Sequence, residues 1–526
     1  MKCDVGLGQS GQAGGARPGK PGILPTIAAL VLIFAPSSIP VHGQAVSPHY
    51  HVRVQSNMRV AEVTVSLPVG ASRLFMDSVQ AQHLPNGWGT FLQDLTVRMA
   101  GDEVPVEPLG PTEWRLPAGY RGPLTVSYGV DLRFTERPWP AGNEQAGARF
   151  DDALYLVGRA LFVDSDLPGS RRVTFELPPG WQASTPWRVV DSGDLTFEAD
   201  GGTDLIRNSL VLGRHASVRV NVGSFDLELV LPGAMRAAAP LVEPALRSVL
   251  GSYLRMFPDT PPTRYLMTFF RAGADDGESF TRSAGFTTAD SATSEGLIVW
   301  GNFLAHELFH FWNGQRIRGA AARTAWRWFA EGFTEYYANV TLAREGIISQ
   351  ELFLKKAERH LGNYLYFTSA PAFARVSLAD AGRDTGVNRF AVYDGGWTVA
   401  FCLDGLIRER SGDRSSLDDV MRELWRTTRS GSPGYTVTEL DALVDQFATA
   451  ALGRFIATYV EETRVAPVGD CVRRVGLVGA FKGYAGEAFL FPDPAATTAS
   501  VMRGRRLFGP LSTGEEIDSR PVVPGK

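Results

Sequence analysis

Two histidines and a glutamate stand close together in the segment HELFHFWN, residues 306–313, of a chain that has only 8 histidines in 526 residues. On a helix, positions four apart share one face, so His306 and His310 can direct ring nitrogens at a single point with Glu307 nearby. That arrangement is typical of a divalent metal held on two imidazoles, with a carboxylate free to act on water. The alternative is two buried polar side chains satisfied by hydrogen bonds.

A third metal ligand is indicated by the segment WFAEGFTEYY, residues 328–337. Glu331 stands there in an apolar, aromatic helix, where a carboxylate needs a partner. Two histidines and one glutamate make the open three-ligand set of zinc enzymes, which leaves a fourth position for water or substrate. Glu335, one turn later, would accept the second N–H of a ligand histidine, or it is merely solvated. One zinc ion per chain is therefore expected.

These segments carry a family resemblance. HELFHFWNGQRIRG followed by WFAEGFTEYY resembles the gluzincin metallopeptidases, specifically the bacterial glycyl aminopeptidase family, with its motif HExxHxWNxxRI and then EGFTxYY. The resemblance implies that His306, His310 and Glu331 bind zinc and that Glu307 is the general base. The similar segment NRFAVYDGGW implies that Tyr393 donates a hydrogen bond to the oxyanion of the transition state. Asn313 also matches, and it is expected to cap or tie down the end of the zinc helix.

One family motif is missing. In the family a GGLEH strand precedes the zinc helix, and its glutamate is expected to hold the free amino group of the substrate. This chain reads AGFTTADS at the matched place, which makes Thr287 and Thr288 the expected substrate-binding residues. A threonine hydroxyl cannot offset an ammonium charge, so aminopeptidase specificity is in question. Four acidic residues could supply the missing charge, or belong to a solvated loop: Asp275, Asp276, Glu278 and Asp290.

Hydrophobic periodicity predicts a multidomain α+β protein. Alternating runs such as AEVTVSL and LTVSYGV, separated by Gly, Pro and Asp, predict an antiparallel β-sandwich over residues 44–232. Helical spacing begins near Pro232, and by the resemblance residues 233–345 form a thermolysin-like zinc catalytic domain. A helical domain over 346–465 and a short extension over 466–526 follow. The PDZ-like domain that often ends the family's chains is not expected there.

The first 43 residues resemble a signal peptide. Lys2, Arg17 and Lys20 precede the apolar stretch GILPTIAALVLIFA, which is too short to span a bilayer comfortably. The expected location is periplasmic or secreted, without stable membrane insertion after cleavage; an uncleaved N-terminal anchor is the alternative, and export holds either way. Cys402 and Cys471 remain in the mature chain, as one disulfide or as two buried thiols.

Composition excludes two classes of partner. A formal net charge of −4 and a pI near 6.1 give no field that would gather nucleic acid or an anionic membrane. The leading hypothesis is an exported zinc metallopeptidase acting on a peptide or protein substrate, with aminopeptidase action as the family's implication. The second is a catalytically silent zinc-containing relative that binds peptides or a protein partner. Because Glu307 and Tyr393 are retained, catalysis is favoured. Hydrolysis of a non-peptide substrate would use the same catalytic residues.

Overall fold

The structure is a computed structural model that describes residues 47–509, apart from 141, 290, 291, 295, 374, 430 and 431. The predicted signal peptide, residues 1–43, lies outside the described residues. Among those described, no helix has both the length and the apolar character needed to cross a membrane. A sheet-rich N-terminal region is followed by a helical region, which confirms the predicted multidomain α+β class.

The N-terminal region is built on an eight-stranded sheet. Its strands alternate as predicted: Val60–Leu67 buries every second side chain, because successive residues of a strand point to opposite faces. In spatial order the strands are Arg188–Asp191, Thr196–Ala199, Arg171–Glu176, His49–Val54, Val60–Leu67, Leu124–Asp131, Leu92–Met99 and Asp102–Glu103.

One pairing in this sheet departs from the antiparallel prediction. His49–Val54 runs parallel to Arg171–Glu176 on one side and antiparallel to Val60–Leu67 on the other. Parallel neighbours need a long connection, and here it includes all of one smaller sheet, half of another and the helix Gly158–Leu161. One smaller sheet has the order Gly147–Arg149, Ala153–Val157, Ser209–Gly213 and Gln182–Ser184; the other has the order Asp164–Ser165, Arg73–Phe75, Glu113–Arg115 and Glu107–Gly110. The short strand Pro85–Trp88 and the helix Gly202–Ile206 complete this region.

A mixed five-stranded sheet supports the candidate site. Its order is Ala216–Val222, Phe225–Leu231, Thr263–Arg271, Ser283–Thr288 and Asp276–Ser279, and the last of these is called the edge strand below. The first two strands were assigned to the β-sandwich, yet Phe225–Leu231 pairs in parallel with Thr263–Arg271. Periodicity identifies a strand without showing which sheet it joins, so the sequence could not place these two.

Helices cover the five-stranded sheet and form most of the remaining chain. Leu297–Phe309 is called the histidine helix, and Gln350–Ser369 is called the lysine helix. A hairpin of Leu477–Lys482 and Glu487–Pro492 packs on the lysine helix. The other helices are Ala239–Met256, Thr334–Arg344, Leu378–Ala381, Gly396–Ser411, Leu417–Arg429, Val437–Ala448, Val468–Arg474 and Thr498–Phe508.

Within the described part of the chain, three segments adopt π-helical hydrogen bonding, a form often found at functional sites: Trp328–Phe333, Phe390–Gly395 and Ala457–Glu461. The first carries Glu331 and the second carries Tyr393. These two segments pack together through glycine, so that their backbones come close enough to bring Glu331 and Tyr393 to the same site.

Two further contacts join separate parts of the fold. Tyr155 and Val211 pack against Leu266 and Phe270 of the five-stranded sheet, and this joins the N-terminal region to it. Cys402 and Cys471 form a disulfide, which resolves the alternative left open by the sequence. The disulfide connects the helices Gly396–Ser411 and Val468–Arg474.

Candidate metal centre and catalytic cleft

The three predicted metal ligands meet at the end of the histidine helix. The Nε2 atoms of His306 and His310 lie 3.1 Å apart. The Oε2 atom of Glu331 lies 3.5 Å from the first and 3.3 Å from the second. All three ligand atoms lie within 4.8 Å of one another. The structure thus brings two histidines of the histidine helix and its C-terminal end together with a glutamate of the π-helical segment Trp328–Phe333.

The hydrogen bonds of the two imidazoles show why a cation fits here. His306 Nδ1 lies 3.0 Å from Glu335 Oε2, and His310 Nδ1 lies 3.1 Å from the carbonyl oxygen of Asn313. Both partners are acceptors, so each Nδ1 donates a proton to its partner and each Nε2 is the ring nitrogen directed at the centre. Two Nε2 atoms and the Glu331 carboxylate therefore face one another. Three electron-pair donors at this range are stabilised by a cation between them, and the set fits zinc.

The carboxylates around the three ligand atoms stabilise a positive charge between them. Burial alone would lower the pKa of His306, but hydrogen bonds to Glu331 and Glu335 raise it to about 10. Burial alone would raise the pKa of Glu331, yet the charges and hydrogen bonds of His310 and His306 hold it well below its usual range. A divalent ion competes for the same lone pairs as the proton.

Glu335 is buried rather than solvated, with 6 % of its surface exposed. Its carboxylate accepts the His306 Nδ1 hydrogen bond and amide hydrogen bonds from Asn302 and Asn339. Burial would raise the pKa of Glu335, but hydrogen bonds from His306 and His360 lower it well below the usual range. The ionised carboxylate therefore fixes the tautomer and orientation of the His306 ring.

The residues behind Glu335 were not found by sequence reasoning. His360, on the lysine helix, places Nε2 3.4 Å from Glu335 Oε1 and Nδ1 2.7 Å from Asp394 Oδ1. Asp394 directly follows Tyr393 in the chain. This chain of contacts links the metal ligands to the segment that carries Tyr393. A signal was present, because His360 is one of only 8 histidines and falls on the buried face of an amphipathic helix.

Asn313 ties the end of the histidine helix to the segment that carries Glu331. Its carbonyl oxygen accepts from His310, and its side-chain amide donates to the carbonyl oxygen of Phe329 at 3.0 Å and to the hydroxyl of Thr334 at 3.1 Å. The asparagine side chain is fully buried. Asn313 thus joins the end of the histidine helix to the segment that carries Glu331.

Glu307 lies against the edge strand. A Cβ atom added to Gly277 would lie 2.4 Å from Glu307 Oε1, so only glycine lets the strand approach this closely. Burial raises the pKa of the Glu307 carboxyl well above its usual range; the His306 charge opposes the shift and Glu331 adds to it. A raised pKa suits a group that accepts a proton and later releases it.

Tyr393 lies beside His306. The two ring centroids are 6.2 Å apart, with 25° between the ring planes. The guanidinium carbon of Arg389 lies 4.5 Å from the Tyr393 ring centroid. Burial raises the pKa of Tyr393 well above its usual range, and the charge of Glu331 adds to this. The phenol therefore keeps its proton and can act as a hydrogen-bond donor.

Thr287 and Thr288 do not line the cleft, which corrects their predicted role in substrate binding. They lie in the inner strand Ser283–Thr288 and are only 2 % and 7 % exposed. The hydroxyl of Thr287 donates to the carbonyl oxygen of Ala274 at 2.8 Å. The sequence match took the last strand before the histidine helix as the one facing substrate. In the structure the edge strand, earlier in the chain, occupies that position.

A cleft of about 1280 Å³ opens over the metal ligands, Glu307 and Tyr393. Acidic side chains of its lining lie near the edge strand, and basic side chains lie on the lysine helix and on other segments, such as Arg318, Arg323, Arg327 and Arg389. Of the four acidic residues that could replace the missing family glutamate, three line the cleft, while Asp290 lies outside the described residues. Near the edge strand the lining includes Asp275, Asp276, Glu278 and Gln145, and on the lysine helix it includes Lys355, Lys356, Arg359 and Asn363.

The fold and the site fit a gluzincin-like metallopeptidase relative. Two family models match the chain: the Peptidase M61 N-terminal domain over residues 49–213 and the M61 glycyl aminopeptidase over residues 300–396. The resemblance seen in the sequence is thereby confirmed. No curated protein sequence matches the chain significantly.

Solved structures share the architecture. An aminopeptidase N family protein from Idiomarina loihiensis is similar with a TM-score of 0.71 and 17% identity, over 82% of this chain and 79% of that chain. The M1 zinc metallopeptidase from Deinococcus radiodurans is similar with a TM-score of 0.50 and 15% identity, over 80% of this chain and 95% of that chain. Native yeast LTA4 hydrolase is similar with a TM-score of 0.51 and 12% identity, over 80% of this chain and 68% of that chain. At these identities the likeness shows the fold, which is an aminopeptidase-like multidomain α+β fold.

Proposed function

We propose that this protein is an exported zinc metallopeptidase that removes residues from the amino terminus of peptides. The observation that carries the proposal is the convergence of the His306, His310 and Glu331 ligand atoms beside Glu307. Such a set binds zinc and leaves one position open. A mutant of the M1 zinc metallopeptidase from Deinococcus radiodurans has been solved with a Tyr-Ser-Ala substrate, and this supports a peptide substrate here.

The residues of the cleft have different roles in the proposed hydrolysis. Zinc, when bound, supplies a Lewis acid that polarises the scissile carbonyl and activates water. Glu307 takes the proton of the attacking water and passes it to the leaving amine. Tyr393 donates a hydrogen bond to the carbonyl oxygen as that oxygen gains negative charge, which stabilises the transition state more than the ground state. Glu335 and Asn313 hold the two imidazoles in place.

Glu278 is the residue proposed to hold the substrate's free amino group. It lines the cleft on the edge strand, next to Gly277, which contacts Glu307. The guanidinium of Arg159 lies 3.9 Å from the Glu278 carboxylate but donates its hydrogen bonds to the carbonyl oxygen of Gln145. Asp276 adds negative charge to the same wall. An ammonium group is attracted there as no threonine hydroxyl would attract it.

Export is supported by two independent features. Residues 1–43 have the order of charged, apolar and small residues found in signal peptides. The disulfide between Cys402 and Cys471 suits an oxidising compartment such as the periplasm or the exterior of the cell.

Metal analysis combined with a peptide screen tests the proposal. The purified protein should contain close to one zinc per chain and should release the first residue of peptides with a free amino terminus, but not of N-acetylated ones. Glu307→Gln should keep the zinc and lose roughly 10³-fold in kcat. A metal-free preparation with full peptidase activity would refute the zinc assignment. A zinc-loaded protein that binds peptides without cleaving them would instead support the silent relative.

A matched pair of variants tests the amino-group site. Glu278→Gln should raise KM for peptides with a free amino terminus, because the amide removes the charge and keeps the shape. Glu62→Gln is the control, since Glu62 is an exposed glutamate of the eight-stranded sheet that pairs with Arg53 at 3.6 Å. Equal kinetics in the two variants would contradict the role given to Glu278.

A further inference from the structure

The edge strand contributes acidic side chains to the lining of the cleft and the lysine helix contributes basic ones, and these two parts of the lining are called the acidic wall and the basic wall. Gly277 of the edge strand contacts Glu307, so the acidic side begins directly beside the general base. On the other side, Glu335 joins His306 to His360 of the lysine helix. Lys356 is one turn before His360 on that helix, and positions four apart share a face. Lys356 therefore lines the same cleft as the His306, His310 and Glu331 cluster, on the side of the lysine helix.

Lys356 is a buried cation without a direct partner. Its side chain lines the cleft and the residue is only 8 % exposed. Among the described residues, no hydrogen bond or ion pair joins the Lys356 ammonium to a neighbour. Glu335 is an opposing charge that acts on Lys356, but its carboxylate is already shared among His306, Asn302, Asn339 and His360. The Lys356 ammonium reaches the cleft without an ion pair of its own, so an anion that enters the cleft is favoured beside it.

The two neighbouring cations differ from Lys356. The Lys355 ammonium lies 2.9 Å from Glu358 Oε2, so its charge is already paired at the surface. Arg359 is exposed and lines the cleft one turn along the helix from Lys356. Lys356 can therefore bind an anion deep in the cleft, and Arg359 can meet the same anion from the solvent side.

We propose that Lys356, assisted by Arg359, binds a carboxylate on the C-terminal side of the scissile bond. The proposal rests on the peptidase function proposed above, because the acidic wall takes the amino end of the peptide and the basic wall faces the other end. The carboxylate is either the C-terminal group of a very short peptide or an acidic side chain next to the cleaved bond. The substrate class is then short peptides with an anionic leaving part.

Matched peptides distinguish these two sources. The first pair is a dipeptide with a free C-terminal carboxylate and the same dipeptide as its amide. The second pair is a C-terminally amidated dipeptide with Glu or with Gln at the second position. The wild-type protein should prefer the carboxylate member of at least one pair by roughly 10- to 100-fold in kcat/KM, mainly through KM, as expected for one charge-assisted contact. Equal rates within both pairs would overturn the proposal.

Variants at two adjacent lysines separate charge from structure. Lys356→Met keeps the apolar stem and should abolish the carboxylate preference, so that the carboxylate member of each pair is cleaved no faster than its uncharged partner. Lys356→Arg should restore part of the preference, and Lys355→Met should keep all of it. A Lys356→Met protein that loses activity equally on both members of each pair would show a structural role and refute the proposal.

Calorimetric binding keeps this test independent of turnover. Glu307→Gln protein loaded with zinc should bind the carboxylate member of a pair more tightly than the amide, and the additional Lys356→Met change should remove the difference. Failure to cleave any peptide would count against the proposed function, whereas equal binding of carboxylate and amide would count against the role of Lys356.

Discussion

Gly332 and Gly396 touch so closely that a Cβ added to Gly332 would lie 2.3 Å from the Cα of Gly396. Gly332 directly follows Glu331, and Gly396 follows the π-helical segment that carries Tyr393. No φ in the left-handed region is involved, so the requirement for glycine comes from the close approach of two backbones. This contact sets the distance between a metal ligand and the proposed oxyanion donor.

Gly332→Ala is therefore expected to lower the free energy of unfolding by about 2 to 3 kcal/mol, since backbone atoms would have to move to admit the methyl group. Thermal unfolding and zinc content measure the effect, and zinc should be held more weakly. Gly251→Ala is the control: its Cβ would meet only a nitrogen of the Arg255 side chain at 3.4 Å, and it should be neutral or stabilise the helix by up to about 1 kcal/mol. Similar losses in both variants would contradict the argument.

The cluster of His306, His310 and Glu331 could be predicted because the chemistry of its residues is local. His306 and His310 are four residues apart on one helix, and Glu331 is a carboxylate in an apolar run, so each carries its own signal. The edge strand carried no such signal. DGES is short and acidic, and only pairing with Ser283–Thr288 places it over Glu307. Strand order, which depends on the whole sheet, was what misdirected the prediction to Thr287 and Thr288.

Lys356 and His360 were missed for a related reason. In sequence they belong to an ordinary amphipathic helix, where a lysine is expected to be solvated and a histidine to be a satisfied core residue. What makes them distinctive is the packing of that helix against Glu335 and the Asp394 segment. That packing joins residues far apart in the chain, and periodicity within one helix cannot reveal it.

Tyr393→Phe tests the oxyanion donor. Phenylalanine keeps the ring beside His306 and under Arg389 but has no hydroxyl to donate, so kcat should fall roughly 10²- to 10³-fold with little change in KM. Steady-state kinetics on one peptide measures both constants. Tyr128→Phe, in the eight-stranded sheet, removes a buried hydroxyl far along the chain from the site and should leave kcat unchanged. A Tyr393→Phe protein with wild-type kcat would refute the assignment.

Removal of the disulfide tests its contribution to stability. Cys402 and Cys471 are separated by 69 positions, and a bridge that closes a loop of this size restricts the unfolded chain. The double change of both cysteines to alanine should lower the free energy of unfolding by about 4 kcal/mol. Denaturant unfolding of the wild type with and without reductant provides the comparison. If reductant leaves the midpoint unchanged, the bridge is not formed in the purified protein.

The buried Lys356 predicts a pH dependence specific to carboxylate substrates. Burial lowers the pKa of Lys356 to about 8; Glu335 opposes this shift and Arg359 adds to it. Below that pH the ammonium is charged and holds the carboxylate, and as pH rises through about 8 the charge is lost. KM for a carboxylate peptide should therefore rise across this range, towards the value of Lys356→Met.

The ratio of kcat/KM for the carboxylate peptide to that for its amide isolates this effect. Glu307 and the cluster of His306, His310 and Glu331 act on both peptides of a pair, and Tyr393 keeps its proton because its pKa lies well above the usual value. The ratio should fall with a midpoint near pH 8 in the wild type, and it should stay flat in Lys356→Met. A ratio that does not change between pH 6 and 10 in the wild type would show that Lys356 does not carry the charge that binds the carboxylate.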